Sequence, residues 1–224
     1  MDNEYTHISF ILDRTGSMQS IRDDTIGGFN AFLTENKNQP GRITLTLVQF
    51  DSQDTYEVIH QITPLDDVPD LTHETYVPRA STPLLDALGR GINDLEQQLS
   101  LLEEEMKPAG VVYVVVTDGK ENASREFGRD QIVKMIAEKQ EKDEWQFVYL
   151  SADLDAINEA IQHGFRDRSV MGFDKTSVGS RAAWDSLSKR HRTYRRDLQR
   201  GFGFIEEDRR HHEVEKKSKK GSNS

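Results

Sequence analysis

Three short stretches, far apart along the chain, carry closely spaced oxygen-bearing side chains: Asp13-Arg14-Thr15-Gly16-Ser17-Met18, Ser81-Thr82-Pro83 and Thr117-Asp118-Gly119. The first follows the apolar run 8–12 and the last follows 111–116, so each sits where a strand should end. In an open α/β sheet, ligands gather at the carboxyl ends of the strands, which lets such pieces meet in space. Two carboxylates, Asp13 and Asp118, and three hydroxyls, Thr15, Ser17 and Thr82, are hard oxygen donors of the kind a small dication such as Mg²⁺ takes. Asp13, Thr15 and Ser17 alternate within one turn, and Gly16 gives that turn the backbone freedom to aim all three into a crevice. Hydroxyls are neutral ligands. If one Asp acts through water, two carboxylates leave a dication short of neutrality, and the site then favours an acidic group from another molecule.

Each piece also has a purely structural reading. Thr82 before Pro83 suits a helix N-cap, Asp118-Gly119 is an ordinary turn pair, and residues 13–17 suit a polar strand-to-helix turn. Their joint occurrence at strand ends, in chain order, favours the cation reading. Capping and coordination are compatible, because a hydroxyl oxygen has two lone pairs.

The elements that would position these residues alternate along the chain. Strands are expected over 6–13, 42–50, 55–62, 110–117, 145–151 and 169–173, and helices over 20–37, 83–106, 129–142, 154–163 and 176–198. Ser20-Ile21-Arg22-Asp23 reads as a capping box, and Pro83 fits a first helical position. Residues 51–54 are too short a link for a parallel crossover, so the second and third strands form an antiparallel hairpin, with Tyr56, Val58, His60 and Ile62 on one face. The run Val-Val-Tyr-Val-Val-Val over 111–116 is that of a central strand covered on both faces. The segment 63–80, with Pro64, Pro69 and Pro78, crosses irregularly back to the sheet. The fold class is therefore α/β: a doubly wound, mostly parallel six-stranded sheet with one antiparallel edge strand and helices on both faces.

With 224 residues the chain suits one domain, placed at 1–200, followed by a charged tail over 201–224 that is expected to be disordered. Cysteine is absent, which excludes disulfides, thiolate metal sites and thiol catalysis. No apolar run approaches the roughly 20 residues that cross a bilayer. The acidic start Met1-Asp2-Asn3-Glu4 does not resemble a secretion signal, so the expected location is the cytoplasm. The net charge of −10 is uneven. Residues 185–224 hold 12 Lys and Arg against 7 Asp and Glu, and the rest of the chain 17 against 32. An acidic body disfavours nucleic acid as a partner. The basic stretch Lys189-Arg190, Arg192, Arg195-Arg196 and Arg200 reads as a solvated face answering that body, with docking to an acidic partner as the alternative.

Taken together, Asp13-Arg14-Thr15-Gly16-Ser17-Met18, Ala80-Ser81-Thr82-Pro83-Leu84-Leu85-Asp86 and Val116-Thr117-Asp118-Gly119 resemble the metal-ion-dependent adhesion site of von Willebrand factor type A (vWA) domains, written D-x-S-x-S, then a distant T, then a distant D. The resemblance spans roughly residues 5–195 and is greatest to small stand-alone bacterial and phage members carrying D-R-S-G-S-M and T-D-G-x-E-N-A-S-R-E-F. It implies that Asp13, Thr15, Ser17, Thr82 and Asp118 surround the cation, directly or through water, with Mg²⁺ the expected ion and Mn²⁺ or Ca²⁺ the alternatives. Thr15 departs from the usual serine but keeps the hydroxyl. The resemblance also implies a non-enzymatic protein-interaction module whose partner supplies an Asp or Glu. Such relatives work beside ATPases, in metal-insertion complexes, in stress or tellurite-resistance operons and in adhesion.

Other chemistries rank lower. Arg14 interrupts the aspartic-protease pattern D-T-G-S, and no second copy exists. No G-x-x-x-x-G-K-[ST] or G-x-G-x-x-G follows a strand. A metal-dependent hydrolase, with Glu121 or Asp51 as base, is the main rival. The seven histidines are scattered without ligand spacing, and Glu121 and Asn122 have the alternative role of fixing the loop after Asp118.

Overall fold

The computed structural model describes residues 5–209. Six strands, β1 (Thr6–Asp13), β2 (Ile43–Phe50), β3 (Glu57–Pro64), β4 (Gly110–Thr117), β5 (Gln146–Ser151) and β6 (Val170–Gly172), form one sheet in the order β3-β2-β1-β4-β5-β6. Only β3 runs antiparallel, paired to β2 as the hairpin across 51–54 requires. All eight residues of β1, β2 and β4 are buried, whereas β3 is half exposed. This matches the contrast between their continuous apolar runs and the mixed composition of the edge strand.

Helices α1 (Arg22–Lys37) and α5 (Ser177–Arg196) cover one face; α2 (Leu84–Ser100), α3 (Arg129–Lys142) and α4 (Leu154–Gln162) belong to the other layer. On the first face Phe10 meets Phe29 and Phe32 edge-on, at centroid distances of 5.4 and 5.2 Å, and Trp184 at 6.0 Å. Here α1 and α5 approach closely through Gly28, where an added Cβ would lie 2.0 Å from the Trp184 ring. On the second face Ile11, Leu88, Ile92, Val115 and Tyr113 share a core.

Several boundaries differ from expectation. The chain enters α1 through a 3-10 turn, Gly16–Ile21, and Ser20 donates to Ser17 O at 3.2 Å instead of capping the helix. Pro83 occupies the position before α2, not its first turn. That helix stops at Ser100, short of Met106. Glu103, Glu104 and Glu105 follow it, and negative charge opposes the carbonyl end of a helix dipole.

The expected tail boundary moves as well. Beyond Gly201, Phe202 and Phe204 are buried in the α1–α5 core, edge to face at 5.5 Å. Phe202 N donates to Gln146 Oε1 at 2.9 Å and Phe204 N to Arg168 O at 2.8 Å. Packing therefore continues past residue 200; positions 210–224 of the expected tail, with His211 and His212, lie outside the described residues. Half of the basic stretch is turned onto the body, while Lys189, Arg196 and Arg200 are exposed. Arg190 pairs with Asp208 at 2.7 Å and Arg192 with Glu35 at 3.4 Å, while Arg195 donates to Thr6 Oγ1 at 3.0 Å. No helix among the described residues is long and apolar enough to cross a membrane.

Candidate metal centre

From β1, the chain continues to β2 on one side of the sheet, whereas β4 lies on the other. The crevice between β1 and β4 is thus the topological switch point, where open α/β sheets bind ligands. Asp13 ends β1 and Thr117 ends β4 beside it. Thr117 Oγ1 donates to Asp13 Oδ2 at 2.5 Å, and the Thr15 backbone N–H donates to Asp13 Oδ1 at 2.7 Å. The main chain is pinned too, since the Tyr76 hydroxyl donates to Asp13 O at 2.5 Å.

The five oxygen side chains singled out by sequence come together here. Thr82 Oγ1 lies 3.2 Å from Thr15 Oγ1, which lies 3.2 Å from Ser17 Oγ, and Ser17 Oγ donates to Asp118 Oδ1 at 2.5 Å. Asp13 is wholly buried and Thr15, Thr82 and Asp118 nearly so, whereas Ser17 is exposed. The floor of the site is buried and its mouth opens at Ser17. Thr82 caps no helix; its hydroxyl points to Thr15.

Two seams hold the Thr82 loop in register. Gly16 N donates to Ala80 O at 3.0 Å and Arg79 N to Arg14 O at 2.8 Å, with Ala80 in the left-handed region at φ 59°. On the other side, Thr82 N donates to Asn122 Oδ1 at 2.9 Å and Asn122 N returns to Thr82 O at 3.1 Å. The segment 118–127 is stitched to the start of α2. Glu121 accepts from Ala123 N, Ser124 N, Ser124 Oγ and Leu85 N, at 2.6–3.0 Å. Asp86 accepts from the backbone N–H groups of Arg125, Glu126 and Phe127, each at 2.9 Å. Phe127 then packs where Gly89 leaves room, since a Cβ there would lie 2.3 Å from its ring. Glu121, Asn122, Ser124 and Asp86 are thus positioning residues.

Both candidate bases of the hydrolase reading are engaged in structural bonds. Glu121 spends its carboxylate on the loop. Asp51 is buried and accepts from Arg14 Nε and Arg79 Nε, each at 2.8 Å, and from Gln53 N and Asp54 N. Burial alone would raise its carboxyl, but these bonds outweigh it and hold it below the usual carboxylate value. Arg14 turns away from the site to Asp51, Gln49 and Glu57. Of the histidines, His7 and His191 are core residues and His73 pairs with Asp23 on the surface.

Asp13 is the electrostatic anomaly. Burial, with a smaller push from the Asp118 charge, raises its carboxyl from 3.8 to about 6 despite the bonds from Thr117 and Thr15. Among the described residues no Lys or Arg pairs with it. A carboxylate kept dry at neutral pH calls for a cation. The hydroxyl spacing fits one. Adjacent oxygens on an octahedral shell of radius about 2.1 Å lie about 3.0 Å apart, and on a Ca²⁺ shell about 3.4 Å, which brackets the observed 3.2 Å. Gly119 keeps the space clear: a Cβ there would lie 3.4 Å from Ser17 Oγ and 3.7 Å from Thr82 Oγ1. No group of three or more His, Cys, Asp or Glu side chains among the described residues makes a metal site of another kind.

No family model and no curated protein matches the chain in sequence. Among solved structures it is similar to a von Willebrand factor type A protein from Catenulispora acidiphila, with a TM-score of 0.57 and 9% identity over 83% of this chain and 42% of that one. The fold is that of a vWA domain. Similar too is proximal thread matrix protein 1 of the mussel byssus with a zinc-occupied MIDAS motif, the metal-ion-dependent adhesion site (TM-score 0.51, 16% identity, 87% of this chain and 44% of that one). A third is the manganese-loaded TRAP protein of Plasmodium vivax (TM-score 0.54, 13% identity, 84% and 72%). The chain spans less than half the length of the first two. vWA-fold neighbours thus include proteins that hold divalent metals.

Sequence reasoning missed three contributors to the site: Thr117, Tyr76 and Lys175, whose Nζ donates to Asp118 Oδ2 at 2.7 Å. Thr117 stood beside Asp118 in the motif and was readable as a second hydroxyl on the same strand end. Tyr76 and Lys175 carry no local signal, because they reach the site only through tertiary packing.

Proposed function

We propose that this chain is a metal-dependent protein-interaction module. Asp13, Thr15, Ser17, Thr82 and Asp118 hold one divalent cation, Mg²⁺ in the first instance, with Mn²⁺ or Ca²⁺ as substitutes of the same donor preference. A bound cation supplies a Lewis-acidic seat for a carboxylate oxygen. The protein's own contribution is to fix the donors, keep the floor buried and leave the mouth open at Ser17, where a partner's Asp or Glu enters. The observation that carries this reading is the buried Asp13 carboxylate, bonded to Thr15 N–H and Thr117 Oγ1, beside a continuous chain of oxygens from Thr82, Thr15, Ser17 and Asp118. A binding role is supported over hydrolysis by the engagement of Glu121 and Asp51 in structural bonds. A protein partner is favoured over nucleic acid because the net charge is −10 and three of the six residues of the basic stretch, Arg190, Arg192 and Arg195, are spent on the body of the domain.

The test is affinity capture with the full chain in Mg²⁺ and in chelator, read by mass spectrometry, with Asp13→Ala beside the wild type. A partner held only in Mg²⁺ and only by the wild type supports the proposal. Equal capture by Asp13→Ala in Mg²⁺ refutes it, and so does Mg²⁺-dependent turnover of phosphoester or peptide substrates by the wild type.

A further inference from the structure

Asp118 has a second partner that the adhesion-site motif does not include. Lys175 Nζ lies 2.7 Å from its Oδ2, while Oδ1 is taken by Ser17. Lys175 comes from the turn between β6 and α5, and its backbone is fixed on both sides. Phe173 is buried and its N–H donates to Ser151 O at 2.9 Å. Thr176 caps α5 by accepting from Gly179 N at 3.1 Å. The turn is tight enough that a Cβ on Gly179 would lie 2.7 Å from Asp174 O. The Asp118 side chain is wholly buried, whereas that of Lys175 remains 43% exposed and has a way out to solvent.

We propose that Lys175 is a tethered cation of the site, which neutralises Asp118 when no metal is bound and thereafter weakens metal binding while strengthening the demand for an anionic guest. The inference rests on the metal-site reading above. It follows from a local charge balance. Arg14 and Arg79 are matched by Asp51 and Glu57, and Lys120 by Asp155. Glu121 and Asp86 sit behind the loop, their carboxylates spent on backbone N–H groups and the Ser124 hydroxyl. Of the groups bonded directly to the donor set, Asp13, Asp118 and Lys175 sum to a single negative charge. A dication turns this into a single positive charge, which one carboxylate cancels. Without Lys175 the same cation is already neutralised by the two aspartates, so it is held more tightly and attracts a carboxylate less. Lys175 thereby shifts affinity from the metal alone to metal and guest together.

The experiment is calorimetric titration of MgCl₂ into the full chain as wild type, Lys175→Met and Lys175→Arg, with melting of each in chelator. Lys175→Met is expected to bind Mg²⁺ about tenfold more tightly, the scale of repulsion between a single and a double charge a few ångströms apart in a wet site. The same variant should melt lower than wild type in chelator, because the buried Asp118 carboxylate loses its counter-charge. Lys175→Arg should stay near wild type in both measurements. Opposite movement of the two readouts separates a tethered cation from a merely structural pair. Unchanged or weaker Mg²⁺ binding by Lys175→Met overturns the inference and leaves the metal site standing; an unchanged melting temperature in chelator does the same. Absence of Mg²⁺ binding by the wild type and both variants overturns the metal site, and the inference with it.

Discussion

Replacing Asp13 by Asn should stabilise the metal-free protein while abolishing its response to Mg²⁺. The Asp13 carboxyl is raised from 3.8 to about 6, chiefly by burial. For a carboxyl raised on folding, the cost of holding it ionised appears as pH rises through the unfolded value and is complete above the folded one. At about 1.4 kcal/mol for each pH unit, the cost above pH 7 is about 3 kcal/mol; at pH 5 it falls to about half that. Asparagine keeps an acceptor for the Thr15 N–H, and the Thr117 hydroxyl can turn to accept from the amide. Urea unfolding in chelator at pH 8 and pH 5 measures both numbers. Asp13→Asn should exceed wild type by about 3 kcal/mol at pH 8 and by about half that at pH 5. Saturating Mg²⁺ should then raise wild type and leave Asp13→Asn unmoved. An Asn variant less stable than wild type in chelator at pH 8, or a difference that ignores pH, would show that Asp13 is not the strained carboxylate described here.

Other consequences are equally open to measurement. Burial lowers both His7 and His191 from 6.5 to about 3. The fold excludes protons that the unfolded chain accepts, so stability should fall below pH 6.5 by about 1.4 kcal/mol per pH unit for each ring; His191→Gln should remove one such increment in urea titrations between pH 6 and pH 4. Phe202→Ala should cost about 3 kcal/mol, since its ring is buried against Phe204; unchanged thermal stability would restore a tail beginning at 201. Asn122→Ala should weaken Mg²⁺ binding several-fold and cost about 1–3 kcal/mol, because it strands the buried Thr82 N–H; calorimetry and unfolding report the two effects separately.

The strands of the sheet were legible because their burial differs so sharply in composition. Val-Val-Tyr-Val-Val-Val can only be a strand covered on both faces, and the four residues between β2 and β3 leave no route but a hairpin. The meeting of the five oxygen side chains was legible for a related reason: strand ends are fixed by the apolar runs, and the motif counts from them. What local pattern could not show were contacts made across the fold. Tyr76 reaches Asp13 from the irregular crossing, and Lys175 reaches Asp118 from a turn 57 residues away. Composition misled at residue 201, where two phenylalanines in a charged segment return to the core without any helical or strand period to announce them.

The central claim, that three loops close around one dication, is tested most directly by an anomalous-difference map from crystals grown with Mn²⁺. The account predicts a single strong peak enclosed by the side-chain oxygens of Thr15, Ser17, Thr82 and the two aspartates. No peak at the β1–β4 crevice under saturating Mn²⁺, with Lys175 still seated on Asp118, would contradict it.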